Sequence, residues 1–266
     1  MPTNDPVILT ETSGGVLTVT LNRPDKKNAL NTEIYEALVA LLTAVKRDPA
    51  VRVLVLRGAG DDFCAGGDLS EGLADDDHPL RYFDRIHEVP RLLHELPIPT
   101  IAEVSGAAFG AGWNLALCCD LVVASTDARF SQVFTKRGLS PDCGGSWLLP
   151  QIVGLQLAKR LVLLAEVLSA AEAERLGLVT FVAEKGQVGS LVAKLAQQLG
   201  ASSPGALSQS KRLLNESVTQ TLGASLADEG RAQTANLATD DSRIAFEAFL
   251  SRKQPTFTGR WSLHAQ

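Results

Sequence analysis

The chain has little that would indicate a disulfide scaffold, a metal centre or a nucleic-acid surface. Its four cysteines (Cys64, Cys118, Cys119 and Cys143) have neither disulfide-framework nor zinc spacing, which favours reduced thiols in a cytosolic protein. The four histidines among 266 residues show no liganding spacing, so we expect no metal. The net charge of −5 argues against general nucleic-acid binding, which usually needs a basic face.

Signals for targeting and membrane insertion are also lacking. No apolar run reaches the ~18 residues of a membrane span. Residues 1–15 contain neither the basic region nor the apolar segment of a signal peptide. We therefore expect a cytoplasmic protein that does not associate with membranes. Hydrophobic residues make up 45% of the chain and charged residues 21%, which is enough for a sizeable core.

The hydrophobic periodicity predicts an α/β core followed by a helical region. Strands are expected at 16–21, 51–56, 100–104, 121–124 and 179–182. Helices are expected at 32–47, 80–95, 112–119, 155–165, 205–217, 221–238 and 242–251. Ser203 suits an N-cap and Pro204 the first helical position, so we divide the chain into 1–202 and 203–266.

Two glycine-rich stretches are the most informative feature of the chain. Residues 63–69 read Phe-Cys-Ala-Gly-Gly-Asp-Leu, and residues 106–114 read Gly-Ala-Ala-Phe-Gly-Ala-Gly-Trp-Asn. Each follows a β-branched run and precedes helix-compatible sequence. Small residues let a ligand approach the backbone closely, and free N–H groups at a turn or helix start attract negative charge. Two such stretches that meet at one point form a site suited to an oxyanion.

The chain lacks the complete motifs of nucleotide cofactor sites. Gly58-Ala59-Gly60 follows a strand, but Phe63 stands where a dinucleotide fingerprint needs its third glycine. The triplet at 110–112 fails in the same way at Leu115, and no P-loop lysine follows either stretch. The acidic run at 75–77 is typical of a solvated loop. We therefore expect no redox cofactor.

Several further motifs stand in a recognisable order along the chain. They are Asn22-Arg23-Pro24 with Asn28-Ala29-Leu30, both glycine-rich stretches, Cys119-Asp120, the run 138–147 and Phe257-Thr258-Gly259. Together they resemble the crotonase superfamily of enoyl-CoA hydratases and isomerases over nearly the whole chain. The resemblance implies a right-handed spiral of ββα units that forms two sheets. It also implies C-terminal helices used in trimer contacts, and a homotrimer or a dimer of trimers.

The same resemblance implies an acyl-CoA thioester substrate, with CoA arriving as part of that substrate and no separate cofactor. The backbone N–H groups of Gly67 and Ala111 are the implied donors that polarise the thioester carbonyl and hold an enolate. Asp68 is expected to brace its turn. The residues implied to contact CoA are Arg23, Lys26, Lys27, Ala29, Ala65, Gly66, Gly67 and Leu69.

This sequence departs from the hydratases of the family at two positions. Those enzymes use two glutamates, where this chain has Asn114 and Phe134, and neither side chain exchanges a proton near neutral pH. Asp142 matches the base of several family isomerases. Shielding by Phe134, Trp147 or the loop near 71–80 would raise the pKa of Asp142 and help it act as a base. The run 138–150 is most similar to the phenylacetate-pathway epoxyphenylacetyl-CoA isomerases, which share a site with Δ3,Δ2-enoyl-CoA isomerases.

We therefore expect an acyl-CoA isomerase of fatty-acid or aromatic-acid breakdown. Asp142 would take a proton from C2 and return it at C4, and Asn114 would be a supporting polar residue. Three alternatives remain open. The first alternative is a hydratase that orders water with Asn114 and Asp142. The second is a hydrolase or dehalogenase with Asp142 as nucleophile, and the third is a non-catalytic acyl-CoA binder.

Overall fold

Two β-sheets carry the loops that build the site. The computed structural model describes residues 5–71 and 78–260. Its strands are β1 (Ile8–Ser13), β2 (Val16–Leu21), β3 (Val53–Gly58), β4 (Thr100–Val104), β5 (Ala107–Phe109), β6 (Leu121–Ser125), β7 (Arg129–Ser131), β8 (Leu168–Ser169) and β9 (Phe181–Ala183). The larger sheet has the order β1-β2-β3-β4-β6-β9, and the smaller has the order β5-β7-β8. In the larger sheet β2, β3, β4, β6 and β9 run parallel, and β1 is antiparallel to β2.

Helices cover the sheets and form the C-terminal region. They are α1 (Thr32–Val45), α2 (Pro79–His94), α3 (Ala111–Leu117), α4 (Gly145–Val153), α5 (Leu155–Leu164), α6 (Ala170–Arg175), α7 (Val188–Gly200), α8 (Pro204–Ser217), α9 (Leu222–Leu237) and α10 (Asp240–Ser251). Among the described residues no helix is long and apolar enough to cross a membrane.

The central strands of the larger sheet are buried on both faces, which explains their continuous apolar runs. In β3, Leu54 and Leu56 belong to the main core, which also contains the inner faces of α1, α2 and α3. Val53 and Val55 point to the opposite face, where they belong to a second cluster with Val192 of α7. In α/β sheets ligand-binding loops lie at the carboxyl ends of the strands, and the first glycine-rich stretch follows β3 at that end.

The smaller sheet brings the two glycine-rich stretches side by side. Cys64 donates its backbone N–H to the carbonyl of Ala107 at 2.9 Å, and the N–H of Phe109 donates back to the carbonyl of Cys64 at 2.9 Å. Cys64 and Ala108 thereby form an isolated parallel bridge. The sequence predicted neither β5 nor this pairing, because a run of alanines and glycines has low β-propensity and is paired here by tertiary contacts.

Most predicted elements are confirmed, with small shifts at their ends. Asn31 caps α1 by accepting from the N–H of Ile34, and Pro204 opens α8 as expected. The strand predicted at 179–182 is wrong by one to two residues, because β9 starts at Phe181 and the N–H of Thr180 pairs with Val122 before it. The expected acidic loop at 75–77 lies outside the described residues.

The C-terminal helices are joined to the core by polar contacts. Lys211 of α8 donates to the Asp120 carboxylate at 2.9 Å and to the carbonyl of Ile98 at 3.2 Å. Large apolar side chains on α10 are exposed on the surface of the chain, since Phe249 and Leu250 are each 82% exposed. The division of the chain at 202/203 stays a prediction.

Candidate active site

The first glycine-rich loop is fixed by the segment that precedes α1. The N–H of Ala65 donates to Lys27, and the N–H of Leu30 donates to Gly66, at 2.9 and 2.8 Å. Gly66 has φ +101°, and a Cβ placed there would lie 2.9 Å from the carbonyl oxygen of Phe109. Only glycine fits such a close approach with a positive φ. The same Cβ position lies 3.8 Å from the backbone nitrogen of Ala111, so the two loops converge.

Two backbone donors at this junction are unused. Within residues 5–71 and 78–260 neither the N–H of Gly67 nor that of Ala111 has an acceptor. Ala111 is the first residue of α3, where N–H groups have no intrahelical partner. Gly67 is exposed, and a Cβ placed on it would meet no heavy atom within 4 Å, so open space lies beside it.

Asp68, next to Gly67, braces the loop as expected. Its carboxylate accepts from Arg23 at 2.8 Å and from the hydroxyl and N–H of Ser70 at 2.6 and 3.0 Å. These hydrogen bonds, from Ser70 first and then Arg23, lower the pKa of Asp68 to about 2. Arg23 also donates to the carbonyl of Ala29 at 2.7 Å, so its guanidinium is held inside the loop structure.

The other residues implied in CoA contacts surround this loop. Lys26 and Lys27 are exposed, and Lys27 pairs with Asp62 at 3.3 Å. Leu69 is 63% exposed. Ala29 and Ala65 are half-buried and Gly66 is buried. The structure therefore leaves Lys26 and Leu69 open to a ligand, and Lys27 is exposed although it pairs with Asp62. Arg23 is engaged by the protein.

Asp142 lies in a turn before α4 that Asn114 holds in place. The Asn114 side-chain nitrogen donates to the carbonyl of Asp142 at 2.8 Å, and its oxygen accepts from Gln132 at 2.8 Å. Asn114 is fully buried. A Cβ on Gly145 would lie 2.3 Å from the Asn114 nitrogen, so glycine is required there. Asn114 thus positions the backbone of Asp142.

The Asp142 carboxylate is shielded from water and incompletely bonded. Among the described residues its Oδ1 atom is buried with no hydrogen-bond partner. Burial raises the pKa of Asp142, and the neighbouring Cys143 thiol and His87 oppose that shift. The negative charge of Asp142 in turn contributes to the raised pKa values of Tyr35 on α1 and Tyr82 on α2, behind burial as the main cause. The expected direction of the Asp142 shift is confirmed.

The residues proposed to shield Asp142 have different surroundings. Phe134 is buried beside the second glycine-rich loop, where a Cβ on Gly110 would lie 3.4 Å from its ring. The Trp147 ring packs edge-on against His94, with centroids 5.4 Å apart, and remains 40% exposed. Residues 72–77 of the loop near 71–80 lie outside the described residues. Helices α1 and α2 supply shielding groups that the sequence reasoning had not named.

Sequence reasoning missed three residues near Asp142. The hydroxyl of Tyr35 lies 3.6 Å from the Sγ atom of Cys143 and is buried with it. Gln132 orients Asn114, and the charge of His87 on α2 contributes to lowering the pKa of Asp142 against the larger effect of burial. A signal for Tyr35 was present, because its hydroxyl falls within the apolar stripe of α1. Among the described residues no group of three or more His, Cys, Asp or Glu side chains suits a metal ion.

The parallel sheet, the small second sheet and the paired glycine loops define an α/β protein of the crotonase class. The chain belongs to the enoyl-CoA hydratase/isomerase family, whose sequence model matches residues 11–260.

Known relatives agree with this assignment along nearly their whole length. A 1,2-epoxyphenylacetyl-CoA isomerase of Escherichia coli is 38% identical over 261 residues, which covers 95% of this chain and 98% of that protein. A 2,3-dehydroadipyl-CoA hydratase of the same organism is 38% identical over 245 residues, covering 92% and 96%. The crystal structure of an enoyl-CoA hydratase from Polaromonas sp. JS666 superposes with a TM-score of 0.90 at 38% identity, covering 94% of this chain and 99% of that one. Isomerases and hydratases thus both occur among the relatives.

Proposed function

We propose that this protein is an acyl-CoA isomerase that shifts a double bond through an enolate. The observation that carries the proposal is the combination of two unused backbone donors, at Gly67 and Ala111, with one shielded carboxylate, at Asp142. The similarity to a 1,2-epoxyphenylacetyl-CoA isomerase supports the same choice. Fatty-acid or aromatic-acid breakdown is the proposed setting.

In the proposed mechanism the thioester oxygen accepts hydrogen bonds from Gly67 and Ala111. Asp142 removes a proton from C2, and the negative charge moves onto that oxygen. Preorganised donors stabilise the developing charge more than the ground state, and each is typically worth ~3 kcal/mol of barrier. The protonated Asp142 then returns the proton at C4. A raised pKa brings this carboxyl nearer to the pH at which it can accept and return a proton.

The surroundings of Asn114 favour isomerisation over hydration. A hydratase needs groups that hold and deprotonate a water molecule. Asn114 is fully buried, and its nitrogen and oxygen are both engaged, with Asp142 and Gln132. Phe134 has no group that binds water. In the described part of the site Asp142 is then the carboxylate proposed to transfer protons, and one carboxylate is sufficient for a double-bond shift.

A second candidate function is hydrolysis through an ester of Asp142, and the unbonded Oδ1 atom of Asp142 is the observation that favours it. A carboxylate oxygen that is not engaged by the protein is suited to attack a substrate carbon. Trapping of an Asp142 ester under single turnover would establish this alternative.

CoA is proposed to arrive as part of the substrate, with Lys26 and Lys27 near its phosphates and Ala65, Gly66 and Leu69 along its path. We also propose a homotrimer or a dimer of trimers, supported by the large exposed apolar side chains Phe246, Phe249 and Leu250 of α10. Sedimentation equilibrium measures the assembly directly. A monomer at micromolar concentration would contradict this part of the proposal.

Deuterium exchange at C2 of saturated and β,γ-unsaturated acyl-CoA esters, followed by mass spectrometry, tests the function. We expect exchange and a shifted double bond with the wild type, and loss of both in Asp142→Asn. Asp25→Asn, on an exposed turn, is the control and should retain both activities. Exchange that survives in Asp142→Asn would assign the base to another group. Tight binding of the esters without exchange would favour a non-catalytic binder or the nucleophile.

A further inference from the structure

A groove lies between α1 and α2. Its volume is about 490 Å³, and its apolar wall includes Tyr35, Val39, Tyr82 and Ile86. Cavities of this size hold small ligands or parts of larger ones. Val39 and Tyr82 are half-buried, so the wall is open to an occupant rather than closed into the core.

The groove is joined to the Asp142 turn through Tyr35. The ring of Tyr35 lines the groove, and its hydroxyl lies 3.6 Å from the Sγ atom of Cys143. Cys143 follows Asp142, whose buried Oδ1 has no partner in the described part of the chain. Tyr82, on the other wall, is close enough for the Asp142 charge to raise its pKa. The ring of Tyr35 is therefore shared between the wall of the groove and the turn that carries the group proposed to remove the C2 proton.

Negative charge dominates the rim of the groove. Among the described residues that line it, Glu36, Asp84 and Glu88 are acidic and Arg85 is basic. Glu36 and Asp84 are exposed, and Glu88 pairs with Arg91 on its own helix. A carboxylate that entered the groove would lose hydration and approach like charges, whereas a methyl or phenyl group would only bury apolar surface.

We propose that this groove receives the distal end of the acyl group and selects CoA thioesters with an uncharged, apolar end over those with a terminal carboxylate. The inference rests on the proposed function, because that function places the thioester at Gly67 and Ala111 and C2 at Asp142. The wall of Tyr35, Val39 and Ile86 supplies affinity, and the acidic rim supplies discrimination.

Calorimetric binding of unreactive saturated esters tests the inference without catalysis. The probes are butyryl-CoA, octanoyl-CoA and octanedioyl-CoA, in which octanoate ends in a methyl group and octanedioate in a carboxylate. We expect octanoyl-CoA to bind roughly tenfold more tightly than octanedioyl-CoA. A ratio of this size is what repulsion between the terminal carboxylate and a few partly screened acidic side chains would produce. The double variant Glu36→Gln/Asp84→Asn should narrow that ratio to roughly threefold or less. Glu33→Gln, an exposed α1 residue outside the groove, should leave it unchanged.

A second pair of variants tests the location. Ala40 is exposed and lines the groove, whereas Ala44 is exposed one turn further along α1 and does not line it. Ala40→Trp should weaken octanoyl-CoA binding roughly tenfold, because the indole ring would prevent the burial of about two methylene groups of the acyl chain. Binding of butyryl-CoA should not change. Ala44→Trp should change neither. Equal effects of both variants, or a wild type that binds the two eight-carbon esters equally, would overturn the inference.

The proposed function is measured separately, by C2 exchange of butyryl-CoA, which is too short to depend on the groove. Exchange of butyryl-CoA with no preference between the eight-carbon esters would remove only the groove inference. The expected binding pattern without exchange of any ester would remove only the isomerase proposal.

Discussion

Replacement of Asn114 by alanine should both destabilise the protein and misplace the candidate base. The variant leaves the Gln132 amide nitrogen without its acceptor, and a buried group that loses its partner costs about 1–3 kcal/mol. The Asp142 carbonyl also loses a bond, but it keeps the N–H of Gly145 at 3.0 Å, so this loss costs about 1 kcal/mol. We expect the free energy of unfolding to fall by about 2–4 kcal/mol.

The same change should act on catalysis through the position of Asp142. A shift of about 1 Å in a reacting group can cost roughly a hundredfold in rate. We expect the C2 exchange rate at saturation to fall at least tenfold, with a smaller change in KM. Urea unfolding at fixed protein concentration and exchange kinetics are the measurements. Asn215→Ala removes a similar bond, to the carbonyl of His94 at 3.1 Å, and should cost stability without slowing exchange. Normal exchange in a folded Asn114→Ala protein would refute the positioning role.

Three other predictions concern the loops and the two aspartates. Gly66→Ala places a Cβ 2.9 Å from the Phe109 oxygen at a strained φ. It should lower the free energy of unfolding by about 1–3 kcal/mol and slow C2 exchange. The control Gly223→Ala, which has open space on α9, should do neither. Because burial raises the pKa of Asp142, the rate of C2 exchange should rise with pH through that raised pKa, and this rise should disappear in Asp142→Asn. The stability that the Asp142 carboxyl contributes is present below its ordinary pKa. It is lost as the pH rises through the raised pKa. The contribution of Asp68 to stability depends on pH in the opposite direction. It is present above the ordinary aspartate pKa of about 4 and is lost as the pH falls toward the Asp68 pKa of about 2. The stability of Asp68→Asn should therefore depend less on pH in that range than the stability of the wild type.

The sequence was sufficient where one local signal decided the structure. The apolar stripe of α1 predicted that helix, and the pair Ser203-Pro204 predicted the start of α8. The family motifs predicted that the glycine-rich stretches belong to one site. These features depend on short-range spacing, which a single sequence displays.

The remaining features depend on contacts between distant residues. The pairing of Cys64 with Ala108 joins two segments of low strand propensity, so only the folded chain shows it. Sequence reasoning assigned Arg23 to CoA because an arginine beside a motif turn suits phosphates. The structure engages that guanidinium with Asp68, 45 positions away. No periodicity predicts that α1 and α2 bring Tyr35 and Tyr82 to Asp142.

The distribution of hydrogen bonds separates the groups that build the site from those left for a substrate. Arg23, Asp68 and Asn114 carry the polar side chains that a motif comparison notices first, and each is bonded to other parts of the protein. In the described part of the chain the backbone N–H groups of Gly67 and Ala111 and one oxygen of Asp142 are among the groups without a partner. Leaving donors and a buried carboxylate oxygen unpaired costs stability, so other contacts must hold them in place. Two donors and one carboxylate form a set suited to moving a proton beside a thioester, and water addition would need a second proton-transfer group.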